Sequence, residues 1–136
     1  MSKWLLKTEP ESWSWEQQIQ HKVTAWDGVR NYQAANNMKR MQKNDLCFFY
    51  HSGKERKIVG IVKVTKSAYP DPFDTTGHFV CVDVQFEREL KNPILLSDIK
   101  RIADFSHLPL VRQSRLSVME IDDQSWDSLC QMGEKS

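Results

Sequence analysis

Hydrophobic positions along the chain follow two different periods. Val80, Val82, Val84 and Phe86 alternate with Cys81, Asp83 and Gln85. A period of two turns one face of an extended chain to a core and the other to water, so this stretch predicts a strand. Leu46-Cys47-Phe48-Phe49-Tyr50 is apolar throughout, as expected of a strand covered on both faces. The β-branched residues over 57–64 predict another strand, and Gly60 inside it marks a bulge or a close backbone approach. Shorter strands are expected over residues 3–7, 23–26 and 116–121.

Elsewhere the period is helical. Ser14 followed by Gln17 forms a capping box, with a helix to about His21 that sets Trp15 and Ile19 on one face. Tyr32, Ala35 and Met38 are three apart and predict a helix over 31–41. Ile99, Ile102 and Ala103 predict a short helix capped by Ser97. Trp126, Leu129 and Cys130 form one face of a last helix, capped by Asp122 or Asp123 and ended by Gly133. Residues 68–77 carry two prolines and predict a stiff loop. Strands and short helices mix without βα alternation. The expectation is one α+β domain over residues 1–136, with a strongly bent, mostly antiparallel sheet or small barrel and helices around it.

Composition narrows the function classes. A chain of 136 residues, 40% hydrophobic and 27% charged, suits one folded core rather than disorder. No apolar run approaches the ~20 residues of a membrane span, and the first residues lack a signal peptide's apolar stretch. No membrane partner is expected, and the location expected is cytoplasmic, or nuclear in a eukaryote. Cys47, Cys81 and Cys130 lie far apart, as free thiols of a reducing compartment would. His21, His51, His78 and His107 lack ligand spacing, so neither metal nor cofactor is expected. A net charge of +1 excludes nucleic-acid binding by bulk charge but leaves room for local basic patches.

Candidate chemistry gathers at the predicted strand ends. In Trp26-Asp27-Gly28-Val29-Arg30-Asn31 the indole either stacks a planar ring whose edge the polar neighbours read, or plugs the core while Arg30 pairs with Asp27. Tyr50-His51-Ser52 ends the buried strand. A His–Ser hydrolase pair is not expected there, because adjacent residues on an extended chain point to opposite faces. Arg112-Gln113-Ser114-Arg115-Leu116-Ser117 offers either a phosphate contact or an internal partner for a carboxylate. Lys54-Glu55-Arg56-Lys57 is a charged hairpin loop, either a solvated face or, where it flanks a groove, a phosphate contact, and Lys7-Thr8-Glu9-Pro10 closes the first strand. Trp4, Trp13, Trp15 and Trp126 are expected to be structural.

Six blocks in order are similar to one family. They are Lys7-Thr8-Glu9-Pro10, the run from Ala25 to Ala34, Phe48-Phe49-Tyr50-His51-Ser52, Ile58-Val59-Gly60-Ile61, Ala68-Tyr69-Pro70-Asp71-Pro72, and the run from Leu108 to Val118. Together they resemble the EVE domain family, of the PUA-like group that includes the YTH and ASCH domains. The resemblance covers nearly the whole chain. It implies a PUA-like, bent, barrel-like sheet with short helices around it. It also implies a non-catalytic nucleic-acid binding module that takes a modified base, chiefly modified cytosine in DNA with RNA also possible, flipped into an aromatic pocket. By matching positions, Trp26 is the implied cage aromatic with Asp27, Arg30 and Asn31 beside it. Lys7 and Thr8 are one wall, Tyr50, His51 and Ser52 the opposite wall, and Arg115, Leu116 and Ser117 the last side. Lys54, Arg56 and Arg112 are the candidates for phosphate. Two other classes compete: an enzyme acting on a modified nucleoside with His51 or Glu9 as base, and a sensor of free nucleoside.

Overall fold

The computed structural model describes residues 1–135. Its strands are β1 (Lys3–Thr8), β2 (Val23–Trp26), β3 (Leu46–His51), β4 (Lys57–Pro70), β5 (Val80–Leu95) and β6 (Val118–Ile121). Its helices are α1 (Trp15–His21), α2 (Tyr32–Lys39), α3 (Leu96–Lys100), α4 (Pro109–Arg112) and α5 (Asp123–Glu134), with a single 3-10 turn at Ala103–Phe105. The six strands make one sheet in the order β2-β5-β4-β3-β1-β6. Every pairing is antiparallel except β1 with β3. This is the mixed α+β, mostly antiparallel sheet with short helices that the patterning implies.

The bend has a local cause. The long β4–β5 ladder slips register between Ile58 and Gly60, Ile61 and Val62, Val64 and Lys66, and Lys66 and Tyr69. Each irregularity adds twist and curls the sheet. Gly60 lies at the first of these, opposite a second slip between Phe49 and Tyr50 on β3. A Cβ at Gly60 would lie 2.1 Å from Cζ2 of Trp15, so the missing side chain is what lets α1 settle on the sheet.

The capping box forms in full: Ser14 Oγ accepts from the Gln17 amide at 3.2 Å, and Gln17 Oε1 accepts from the Ser14 amide at 2.8 Å. Other expectations are corrected. Gly133 does not end α5 but lies in its last turn, where a Cβ would meet Cδ2 of Leu90 at 2.9 Å. Ser97 does not cap α3, because β5 runs straight into the helix and Leu95 occupies the cap position without a side-chain bond. The stiff loop is shorter than expected, since β4 continues to Pro70, which pairs with Val80 at the strand's last residue. A terminal position suits proline, which has no amide to donate onward.

The core lies against β1 and β3, whose apolar runs are covered on both faces. Phe48 stacks on Trp126 of α5 with centroids 3.9 Å apart. Trp4 is buried as expected, and its indole N–H donates to Asp45 Oδ2 at 2.9 Å. That buried carboxylate also accepts from the Gln42 amide, so the polar edge of Trp4 enters the core satisfied. Among the described residues the three cysteines are unpaired, and no helix is long and apolar enough to cross a membrane.

Candidate functional site

The C-terminal ends of β1 and β2 open into one cavity of about 570 Å³. Lys7 and Thr8 come from β1, Thr24, Ala25 and Trp26 from β2, and Asp27 to Asn31 from the loop entering α2. Ser12 and Trp13 close it from the β1–α1 loop, and Ser117 from the residue before β6. The volume falls within the range of small-molecule sites, ~300–1,000 Å³. β2 and β6 are the two edges of the sheet, so its curvature carries both edges to this one hollow.

Each wall is fixed by hydrogen bonds. The Lys7 amide donates to the Ser117 carbonyl at 2.9 Å, and Lys7 Nζ donates to the Ser114 carbonyl at 3.0 Å. Burial lowers the pKa of this ammonium. Thr8 Oγ1 donates to the Trp13 carbonyl at 3.0 Å, and Trp13 Nε1 donates to Gln18 Oε1 at 2.9 Å. Trp26 meets Phe49 edge-on at 5.5 Å, so its ring is both core and cavity wall. Asn31 caps α2, accepting from the Ala34 amide at 2.9 Å. The Asp27 side chain stands exposed on the rim.

Gly28 carries the tight turn after Asp27, with φ of 80° that a side chain would strain. Its amide donates to Asp71 Oδ2 at 2.8 Å. Arg30 Nη1 donates to the same oxygen at 2.9 Å, and the Phe73 amide donates to the other carboxylate oxygen at 2.8 Å. Arg30 therefore pairs with Asp71, not with Asp27. Burial pushes the Asp71 pKa up, but the Gly28, Arg30 and Phe73 donors outweigh it and hold the carboxyl below its usual value. A folded pKa below the unfolded one contributes stability that is complete above the unfolded carboxylate range, about pH 4, and is lost as pH falls through the folded value. Asp71→Asn is accordingly expected to flatten the acid limb of a stability–pH curve measured by urea melts. An unchanged limb would show that Asp71 does not carry it.

Of the residues proposed from sequence, Lys7, Thr8, Trp26, Asp27, Arg30, Asn31 and Ser117 meet at this cavity. Tyr50, His51 and Ser52 do not line it. The parallel register sets Lys7 beside Tyr50 and Thr8 beside His51. Lys7 Nζ lies 5.5 Å from the Tyr50 ring centroid, and the ring is buried, which pushes the phenol pKa up to about 12. His51 Nε2 accepts from the Trp15 amide at 3.0 Å, so Nδ1 carries the proton and donates to Glu55 Oε1 at 3.0 Å. The Ser52 amide donates to the Thr8 carbonyl. These three residues stand behind the walls and brace them.

Arg115 and Leu116 lie one recess away. A hollow of about 310 Å³ is lined by Arg112, Gln113, Ser114, Arg115 and Leu116 together with Asn31 and Gln33, so Asn31 joins it to the larger cavity. Lys54 and Arg56 line a third recess with Lys100. Their loop is tied down, since the Leu96 amide donates to the Arg56 carbonyl at 2.9 Å. Trp13 is the aromatic that sequence reasoning assigned to structure. It precedes the Ser14 cap, so no helical face dictates its direction, and that position was the available signal.

The chain matches the EVE domain family over residues 2–132. It belongs to that family. Human thymocyte nuclear protein 1 is 34% identical, with 98% of this chain and 75% of that protein covered. A crystal structure of the human protein in complex with DNA containing 5-methylcytosine has a TM-score of 0.93 at 32% identity, covering 100% of this chain and 99% of that one. A Rhodopseudomonas palustris protein solved by NMR is 41% identical, with a TM-score of 0.92 and coverage of 98% and 93%. An ASCH protein from Zymomonas mobilis shares the fold alone, with a TM-score of 0.62 at 9% identity.

Proposed function

We propose that this EVE domain is a non-catalytic DNA-binding module that receives a modified base, a cytosine derivative, in the cavity between Trp13 and Trp26. The observation that carries this reading is the junction of two indoles, a lysine and an exposed carboxylate around one nucleoside-sized hollow. The relative crystallised with DNA containing 5-methylcytosine supports it. Stacking on an indole is sequence-tolerant, so the edge groups must supply the choice of base. The Asp27 carboxylate suits the exocyclic amino group of cytosine, which is a donor. Lys7 Nζ has protons left for a ring carbonyl after serving Ser114.

The test is a titration of oligonucleotides that differ in one base, with the mass of the oligonucleotide checked afterwards. Tighter binding of modified cytosine at unchanged mass is the expected result. Equal affinity for modified and unmodified DNA would overturn the base reading, and a mass change would favour the enzyme.

The recess beside the cavity is proposed to take a backbone phosphate. Arg112 Nε is spent on the Ser106 carbonyl at 2.9 Å, which aims the guanidinium and leaves its terminal nitrogens for an anion. Replacing Arg112 and Arg115 together with alanine should weaken modified and unmodified DNA alike. The slope of log K against log salt should fall by about 1 for each phosphate that the variant no longer neutralises. Replacing Lys54 and Arg56 should have the smaller effect, because their recess does not adjoin the cavity. The reverse ranking would move the phosphate path to that hairpin.

A further inference from the structure

We infer that Phe73 is a wedge that enters the DNA base stack next to the base held in the cavity. The inference rests on the base-binding reading proposed above. It adds that the ligand is a duplex, opened by this chain. Phe73 is 75% exposed, whereas Phe48, Phe49, Phe79 and Phe105 are buried and Phe86 is partly buried. An apolar ring so far out of the core is normally found on a flexible tip, but this loop is held. Asp71 accepts from the Phe73 amide, and its carbonyl accepts from the Asp74 amide at 3.1 Å. Asp74 in turn accepts from the amides of Thr76 and Phe79, both at 2.9 Å. Pro72 fixes one more backbone angle. The ordering entropy of the loop backbone is thus already spent in the free protein, which favours a contact made on binding.

The position is equally specific. The two oxygens of Asp71 hold the Phe73 amide on one side and the Gly28 amide, in the cavity wall, on the other. The Phe73 backbone therefore sits at a fixed offset from the hollow, one carboxylate away. Tyr32, also exposed, packs on Phe79 at 5.1 Å, and the Arg30 guanidinium lies 5.3 Å from the same ring. An aromatic face and a cation thus gather on Phe79, at the other end of the loop that carries Phe73, a chemistry that suits stacked bases and phosphate. Taking a base out of a duplex leaves a gap and unstacks its neighbours, and apolar side chains inserted between base steps offset that cost.

The wedge acts only where a stack exists, and that supplies the test. Wild type, Phe73→Ala and Phe73→Leu are titrated with one modified sequence as duplex and as single strand. Phe73→Ala should bind the duplex about 10-fold more weakly and the single strand within about 2-fold of wild type, since only the duplex must be unstacked. Phe73→Leu should keep most of the duplex affinity. With 2-aminopurine beside the modified base, wild type should brighten the probe and Phe73→Ala should brighten it less. The exposed position predicts an unchanged melting temperature. Full duplex affinity in Phe73→Ala, or an equal loss on duplex and single strand, would overturn the wedge while leaving the cavity reading intact. Equal binding of modified and unmodified DNA by wild type would overturn the cavity reading, and the wedge with it.

Discussion

Trp13→Ala should lower affinity for the modified base by about 1–3 kcal/mol, the usual worth of one aromatic stacking surface. The fold should survive, because Trp13 is only partly buried, although its loss takes the donor from Oε1 of the buried Gln18, a cost of about 1–3 kcal/mol. Trp26→Ala should do two things at once. It removes the other indole, and it empties a core position that Phe49 meets edge-on. Losses for a buried Trp→Ala run to about 3–5 kcal/mol of stability, so part of its binding defect will be unfolding. Trp13 is the cleaner probe for this reason. Urea melts separate the two effects, and titrations on modified and unmodified DNA give the ratio. If that ratio is unchanged in Trp13→Ala, the base is not held in the cavity that the two indoles line.

Gly60→Ala is expected to destabilise the protein by about 3 kcal/mol or more, near the upper end of overpacking costs. The added methyl would lie 2.1, 2.3 and 2.6 Å from three atoms of the Trp15 ring. The ring cannot easily yield, since Phe49 and Phe86 hold it at centroid distances of 4.9 and 5.5 Å. The displacement would pass to the start of α1, and from there to Trp13, two residues earlier. Binding by the folded fraction should therefore weaken as well. A loss below about 1 kcal/mol in urea denaturation would mean that Trp15 moves freely and that the bulge does not require glycine.

Local patterns carried much of the fold. The Ser14–Gln17 box, the apolar run of β3 and the glycine in β4 were all legible, because each is set by a few neighbouring residues. The second half of β5 was not. Glu87, Arg88, Glu89, Lys91 and Asn92 show no alternation, and the segment is a strand because β4 supplies its backbone partners. The site divided along the same line. Lys7, Thr8, Trp26 and Asp27 lie at strand ends that open on one side, and they could be named from sequence. Tyr50 and His51 lie at a strand end too, yet the parallel register turns them beneath Lys7 and toward α1. Such register depends on pairing between residues some forty positions apart. Trp13 lay outside any periodic element, so patterning had nothing to say about where it points.

The bond from Lys7 to the Ser114 carbonyl spans 107 positions of the sequence, and the Lys7 amide reaches Ser117 farther still. A wall and the residues that fix it are thus made more than a hundred residues apart in synthesis. While the chain is growing on a ribosome, the segment that carries Trp26 emerges long before the segment that closes the hollow. A nascent chain stopped short of Ser117 would display its indoles without a receptor around them. Binding competence should therefore arrive late and all at once, and no N-terminal fragment should possess a weakened version of it.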